Sequence, residues 1–252
     1  MSKIVVVFHS GYGHTLKMAQ AVANGAGASL MPIDADGNLP DGAWETLDAA
    51  DAIVMGSPTY MGSVSWQFKK FADASSKAWF TQKWKDKVFA GFTNSASMNG
   101  DKLSTLHYLF TLAMQHGGIW VGTGMMPANS KAATRNDVNY IASSSGAMAT
   151  TPSDAGVDEM LPGDLETARL FGERVKAAVG GGRLDESGMR SGVGWPEVDF
   201  SELSQVKRAP SQENANSSEG LNVIVGPSCG AAAFGWRARQ ESNLDRSLRR
   251  AA

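Results

Sequence analysis

The chain has 252 residues, 42 % of them apolar and 19 % charged, with a formal net charge of −2 and a single cysteine, Cys229. These values fit a soluble globular protein and exclude an intramolecular disulfide framework, a cysteine-based zinc cluster and the strongly basic footprint of a nucleic-acid binder. No apolar run approaches the roughly 18 residues of a membrane span, the four histidines form no H-x-x-x-H or H-E-x-x-H pair, and the expected location is the cytoplasm.

Up to residue 180, short apolar runs alternate with segments of helical period. Residues 4–8 (IVVVF) read as a strand buried on both faces, being short, β-branched and bounded by polar residues. Residues 15–26 follow as a helix with Leu16, Ala19, Val22, Ala23 and Ala26 on one side. Residues 29–33 are a weaker strand candidate; residues 52–55 (AIVM) are a strong one. A helix after Gly62 carries Val64, Phe68 and Phe71, and residues 88–92 (VFAGF) form the next strand. Leu103, Leu106, Phe110 and Ala113 mark a helix after Asp101, residues 119–121 (IWV) a fifth strand, and Ala168, Phe171, Val175 and Val179 a helix that Asp164 could cap. Residues 125–163 read as one loop, far above the usual length of roughly 4–6 residues, placed to cover a ligand or reach a neighbouring subunit. Residues 183–252 hold nine Lys/Arg and nine Asp/Glu with much Ser, Asn, Gly and Gln, which predicts a mostly disordered, low-complexity tail behind a domain of residues 1–182.

Strand–helix alternation implies right-handed crossovers and an α/β, doubly wound, five-stranded parallel sheet of order 2-1-3-4-5, flavodoxin-like in type. Ligands of such sheets sit at the carboxyl ends of the strands. There the first loop reads His9, Ser10, Gly11, Tyr12, Gly13, His14, Thr15. It is not a dinucleotide fingerprint, because Leu16 stands where the third glycine belongs, and it is not a P-loop, because no G-K-[ST] is present. Two hydroxyls, two glycines and a helix start suit a single terminal phosphate such as that of flavin mononucleotide (FMN); an ordinary turn capping the helix is the alternative. Strand 3 ends at Met55 and continues Gly56, Ser57, Pro58, Thr59, Tyr60, Met61, Gly62. Strand 4 ends near Phe92 and continues Thr93, Asn94, Ser95, Ala96, Ser97, Met98. Three such loops of small polar residues, with Tyr12 and Tyr60 able to stack, suit a flat ring with a polar edge. A phosphoacceptor response regulator would need an Asp after strand 3 and acids after strand 1, and has neither.

These residues, together with Trp79 and the His116-Gly117 pair, resemble the flavodoxin-like NAD(P)H:quinone oxidoreductases of the WrbA type and the NADPH-dependent FMN reductases close to them. The resemblance covers about residues 1–180. It implies FMN contacts at Ser10, Gly11, Tyr12, Gly13, His14 and Thr15, at Pro58, Thr59, Tyr60, Met61 and Gly62, and at Asn94, Ser95, Ala96 and Ser97. It also implies a nicotinamide contact at Tyr12, a quinone-side contact at Trp79 and a homo-oligomer, dimer or tetramer. The implied activity is two-electron transfer from NAD(P)H through FMN to a quinone or related small acceptor, in a ping-pong cycle. His116 is placed at the flavin edge or quinone oxygen as a hydrogen-bonding and catalytic group, or else caps a helix C-terminus. The rival is a flavodoxin-type electron carrier with no NAD(P)H turnover of its own. Such carriers are strongly acidic, whereas residues 1–182 hold 14 Lys/Arg against 16 Asp/Glu.

Overall fold

In the computed structural model, which describes residues 2–181, β1 (Ile4–His9) leads through α1 (His14–Ala26) to β2 (Ser29–Ile33), and α2 (Ala43–Asp48) leads into β3 (Ala52–Tyr60). The short β4 (Ser63–Val64) folds back on β3. Then come α3 (Trp66–Ala74), α4 (Ser76–Phe80), β5 (Val88–Ser95), α5 (Lys102–Gln115), β6 (Ile119–Trp120), β7 (Ala147–Thr150) and α6 (Pro162–Val179). The tail expected over 183–252, Cys229 included, lies outside the described residues.

The main path of the sheet is β2-β1-β3-β5-β6, with its pairs parallel. This is the expected 2-1-3-4-5 order once the β4 hairpin is set aside. Alternate residues feed two cores, as strands covered on both faces require. Ile4, Val6, Phe8, Val54 and Phe92 pack under α1 and α6, with Met18, Val22, Phe171 and Val175. Val5, Val7, Ile53, Met55 and Phe89 pack on the other face with Phe68, Phe71, Leu106 and Leu109.

Four elements differ from their sequence reading. Strand 3 runs on to Tyr60 rather than stopping at Met55. Its pairing with β1 ends at Gly56, so from Ser57 onward it has β5 alone as its main-sheet neighbour, and Pro58 sits in register with Asn94. A proline is tolerated there because one edge of the strand is free. Strand 4 likewise extends to Ser95. The predicted fifth strand is two pieces: β6 pairs with Val88 and Phe89, while β7 pairs with residues 92–95. Residues 125–163 are therefore not one loop but contain β7 and a 3-10 turn, Val157–Glu159. The segment between β6 and β7 is tied back to α6: Asn139 N donates to Thr167 Oγ1 at 2.7 Å and Arg135 Nη2 to Asp164 Oδ2 at 2.9 Å.

The helix assignments shift in the same way. Val64 is in β4, and α3 starts after Ser65, whose Oγ accepts from Phe68 N. Asp164 does not cap α6. It lies inside the first turn, buried, and accepts from Thr150 N at 2.8 Å as well as from Arg135. Leu103 and Phe110 of α5 face outward; its buried side is Lys102, Thr105, Leu106, Leu109, Leu112 and Ala113.

Helices α1 and α6 touch through their backbones. A Cβ at Gly25 would stand 1.9 Å from the Arg169 carbonyl oxygen, and one at Gly172 would stand 2.1 Å from that of Val22. Neither neighbour can swing aside as a flexible side chain would. Gly172→Ala should therefore force the helices apart and cost about 1–3 kcal/mol, read as a melting temperature lower by roughly 2–4 °C per kcal/mol for a protein of this size. Unchanged thermal unfolding would show that the helix pair tolerates the separation.

Candidate functional site

Loop 1 (residues 10–13), the β3–β4 hairpin and the loop from residue 96 to 101 meet at the carboxyl ends of β1, β3 and β5. Ser10 reaches forward to cap α1, its Oγ accepting from Leu16 N at 3.0 Å. Gly13, at φ 88°, is the helix N-cap residue and supplies no side-chain cap. The first helical bond from this turn is Lys17 N to Gly13 O. Consequently the N–H groups of Gly11, Tyr12, Gly13, His14 and Thr15 donate to no acceptor among the described residues. Side chains at the two glycines would intrude. A Cβ at Gly11 would lie 2.5 Å from the Tyr60 hydroxyl, and one at Gly13 2.8 Å from Val157. Five free amides at the positive end of a helix dipole form an anion cradle.

Tyr60 and Tyr12 stand beside it with ring centroids 6.4 Å apart and planes at 88°. Tyr12 is 71 % exposed, and burial pushes the Tyr60 phenol pKa up. The hairpin turns at Met61 and Gly62, both at positive φ (48° and 78°), and Met61 is fully exposed. Thr59 faces inward, its hydroxyl 2.8 Å from those of Thr93 and Thr105, so its side chain braces the strands and only its backbone is open to a ligand. Pro58 is buried and has no N–H. Asn94 Oδ1 accepts from Thr151 Oγ1 at 3.0 Å, which leaves the amide NH2 as its available donor. Ser95 Oγ and the Ser97 carbonyl both accept from Lys102 Nζ, and Ala96 lies between them.

Three features escaped the sequence reading. Lys102, 1 % exposed, anchors the loop from beneath; its spacing with Thr105, Leu106 and Leu109 on the inner face of α5 was the available signal. The segment after β7 closes over loop 1, where His14 Nε2 lies 3.0 Å from the Ala155 carbonyl oxygen and donates to it. Nothing in the sequence marked that contact. His9 ends β1 buried, with Nδ1 unpartnered and its pKa lowered by burial.

The structure does not bring His116 and Trp79 to these loops. Helix α5 begins beside the loops and its 14 residues, at about 1.5 Å each, carry His116 roughly 20 Å along the axis. There Gly117 and Ile119 meet the segment entering β5. His116 is buried against Trp84, with ring centroids 4.5 Å apart. Ser75 Oγ donates to the Ala72 carbonyl at 2.6 Å and so accepts from His116 Nε2 at 2.9 Å. Burial lowers the imidazole pKa. His116 does stand at the C-cap of α5, but its ring bonds Ser75 rather than a helix carbonyl and its Nδ1 has no partner among the described residues; a role at a flavin within the same chain does not fit this placement. Trp79, on α4, belongs to the same far end of the sheet and is half exposed.

The cradle fits the FMN phosphate: the donors are neutral, and a dianion satisfies them at once. Two open grooves of about 550 Å³ are not lined by the cradle residues: one is lined by Met98, Leu103, Tyr140 and Met148, the other by Lys17, Val157 and Arg169. Among the described residues no group of three or more His, Cys, Asp or Glu is placed for a metal ion, and no helix is long and apolar enough to cross a membrane. Ser10→Asp tests the cradle, because the carboxylate keeps an acceptor for Leu16 N while opposing a phosphate. FMN affinity should fall by about a hundredfold or more, the scale of a like-charge juxtaposition, with thermal stability little changed. A variant that kept full flavin occupancy would remove the phosphate from this loop.

Comparison with known proteins places these residues among flavoproteins. Residues 5–133 match the family model described as NADPH-dependent FMN reductase. A protein of Pseudomonas aeruginosa named flavodoxin FldP is 58 % identical over 175 residues, which cover 69 % of this chain and 95 % of that one. A protein of Archaeoglobus fulgidus named NAD(P)H dehydrogenase (quinone) is 32 % identical, covering 69 % of this chain and 96 % of its own. The crystal structure of a WrbA-like flavodoxin from Agrobacterium tumefaciens is 56 % identical and superposes with a TM-score of 0.60, over 73 % of this chain and all of that one. The family model spans the cradle, both tyrosines and the loop behind Lys102, and the chain belongs to the NADPH-dependent FMN reductase family, whose members are flavin-dependent oxidoreductases.

Proposed function

We propose that this chain binds FMN at the three loops and passes two electrons from NAD(P)H to a quinone or related small acceptor. The observation that carries the reading is the set of five unpaired amides at residues 11–15, with the two tyrosines beside it. Bound FMN supplies the hydride-accepting and electron-donating chemistry. The chain's own part is to bind and to orient. The amides of Gly11, Tyr12, Gly13, His14 and Thr15 and the hydroxyls of Ser10 and Thr15 hold the phosphate. Backbone at Pro58, Thr59, Met61 and Gly62, with the ring of Tyr60, walls one side. The Asn94 amide and the backbone of Ser95, Ala96 and Ser97 border the ring edge, and exposed Tyr12 offers a surface on which a nicotinamide and then a quinone stack in turn.

Residues 1–182 suffice for this in our reading, in a cytoplasmic homo-oligomer of two or four chains. The relatives named NAD(P)H dehydrogenase (quinone) support an enzyme. The relative named flavodoxin supports the second reading, a carrier that docks on protein partners. Against a carrier stands the charge balance of residues 1–182, 14 Lys/Arg and 16 Asp/Glu, which provides little field for steering.

Anaerobic spectroscopy separates the two. NADPH or NADH added to the FMN-loaded full chain should bleach the oxidised flavin absorbance within the mixing time of an ordinary assay, and a soluble quinone should restore it. A flavin that dithionite reduces but neither nicotinamide nucleotide touches would make the chain a carrier.

A further inference from the structure

The loop after β5 is held by a buried cation, and that cation decides which way its peptides face. Lys102 is 1 % exposed. Its Nζ donates to the Ser97 carbonyl at 2.6 Å, to Ser95 Oγ at 2.9 Å and to the Met98 carbonyl at 3.0 Å, with the Asn99 carbonyl at 3.5 Å. Three good acceptors match the three protons of an ammonium group. No carboxylate is among them, so this is a charge solvated by neutral dipoles. Such an arrangement is retained only if the dipoles are well ordered around it. Gly100 belongs to the same device: at φ 51°, a Cβ there would lie 2.0 Å from Ser95 Oγ, the atom that Lys102 uses.

Peptide planarity carries this contact to the other side of the loop. In a trans peptide the C=O of one residue and the N–H of the next point in opposite directions. The Ser97 and Met98 carbonyls turn toward Lys102. The N–H groups of Met98 and Asn99 therefore point away from it, to the open side of the loop, and neither donates to any acceptor among the described residues.

We propose that Lys102 is a positioning residue for the flavin: its buried ammonium turns the Ser97 and Met98 carbonyls inward and so presents the N–H groups of Met98 and Asn99 as paired donors for the electronegative edge of the ring. The inference rests on the reading that FMN sits at these loops. It assigns Lys102 no contact with the flavin. A cation one layer behind the donors also stabilises negative charge on the ring they face, which raises the flavin's midpoint potential.

Burial lowers the Lys102 pKa from its ordinary value near 10.5 to about 8; Asp164 on α6 opposes the shift and Arg135, in the segment between β6 and β7, adds to it. The cation is therefore present below about pH 8 and is lost as the pH rises through that value. With it goes the force that orders the two carbonyls.

The test is FMN affinity of the full chain, by quenching of flavin fluorescence, across the pH range around 8. Wild-type affinity should fall about tenfold as the pH rises through about 8, the scale of one hydrogen bond from a backbone N–H to the ring that is no longer held in place. In the apoprotein the Met98 and Asn99 amide resonances should shift with the same midpoint. Lys102→Met, similar in length and uncharged, should bind FMN about tenfold more weakly at neutral pH, show no such pH dependence and hold the flavin at a lower midpoint potential. A folded Lys102→Met variant with wild-type affinity and pH profile overturns the proposal. If that variant does not fold, a wild-type affinity that is flat across the range, with both amide resonances unmoved, overturns it equally. A wild-type chain that binds no FMN at any pH removes the underlying flavin reading as well, whereas binding with a flat profile removes only the part given to Lys102.

Discussion

Five consecutive backbone N–H groups at the start of α1 have no acceptor among the described residues, and the surrounding architecture keeps them that way. Satisfied amides would have been simple to arrange: one Asp at the N-cap position takes up one or two of them. Here the cap position is Gly13, and the capping oxygen comes from Ser10, which reaches only Leu16 N. None of the five has a protein acceptor among the described residues, so all stay available to a group that approaches the helix start. A phosphate accepts from several together and gains from the helix dipole as well.

That constraint explains how the rest of the chain is arranged. For the cradle to have a fixed shape, α1 must have a fixed start. The glycine contacts between α1 and α6 hold the helix at backbone distance, and β1, buried on both faces, fixes where the loop leaves the sheet. The hairpin at Met61 and Gly62 brings Tyr60 over Gly11. The segment following β7 arrives from the other side, where His14 donates to the Ala155 carbonyl. Splitting the fifth strand makes this possible. β6 completes the lower half of the sheet, the chain loops out to be tied onto α6 through Asn139 and Arg135, and β7 returns to complete the upper half and deliver residues 151–157 to loop 1.

The strands were legible because burial on both faces leaves apolar runs that little else explains, and the three loops because small residues collect only where something approaches closely. β7 was not legible. Ala147, Met148, Ala149 and Thr150 have weak strand propensity, and their pairing depends on an edge of β5 that β6 leaves free. The upper parts of β3 and β5 are hidden by Gly56, Ser57 and Pro58 and by Asn94 and Ser95, residues that read as turn formers and here end the strands at the carboxyl edge of the sheet. Lys102 is not legible because a lysine ordinarily counts to the solvent face, which makes Leu103 read as the inner side of α5. The distance of His116 from the loops was available in the sequence after all: a helix running from residue 102 to 115 cannot have both ends at one site.

The phosphate is the part of the ligand on which this account depends most, and its contribution can be isolated. Equilibrium titration of the full-length protein with FMN and with riboflavin, which differ only in that phosphate, measures what the cradle contributes. The account predicts FMN tighter than riboflavin by about a thousandfold or more, several charge-assisted hydrogen bonds at about 1.5–3 kcal/mol each less the cost of taking the phosphate out of water. Equal affinity for the two would contradict it, because the five amides at residues 11–15 would then be holding nothing.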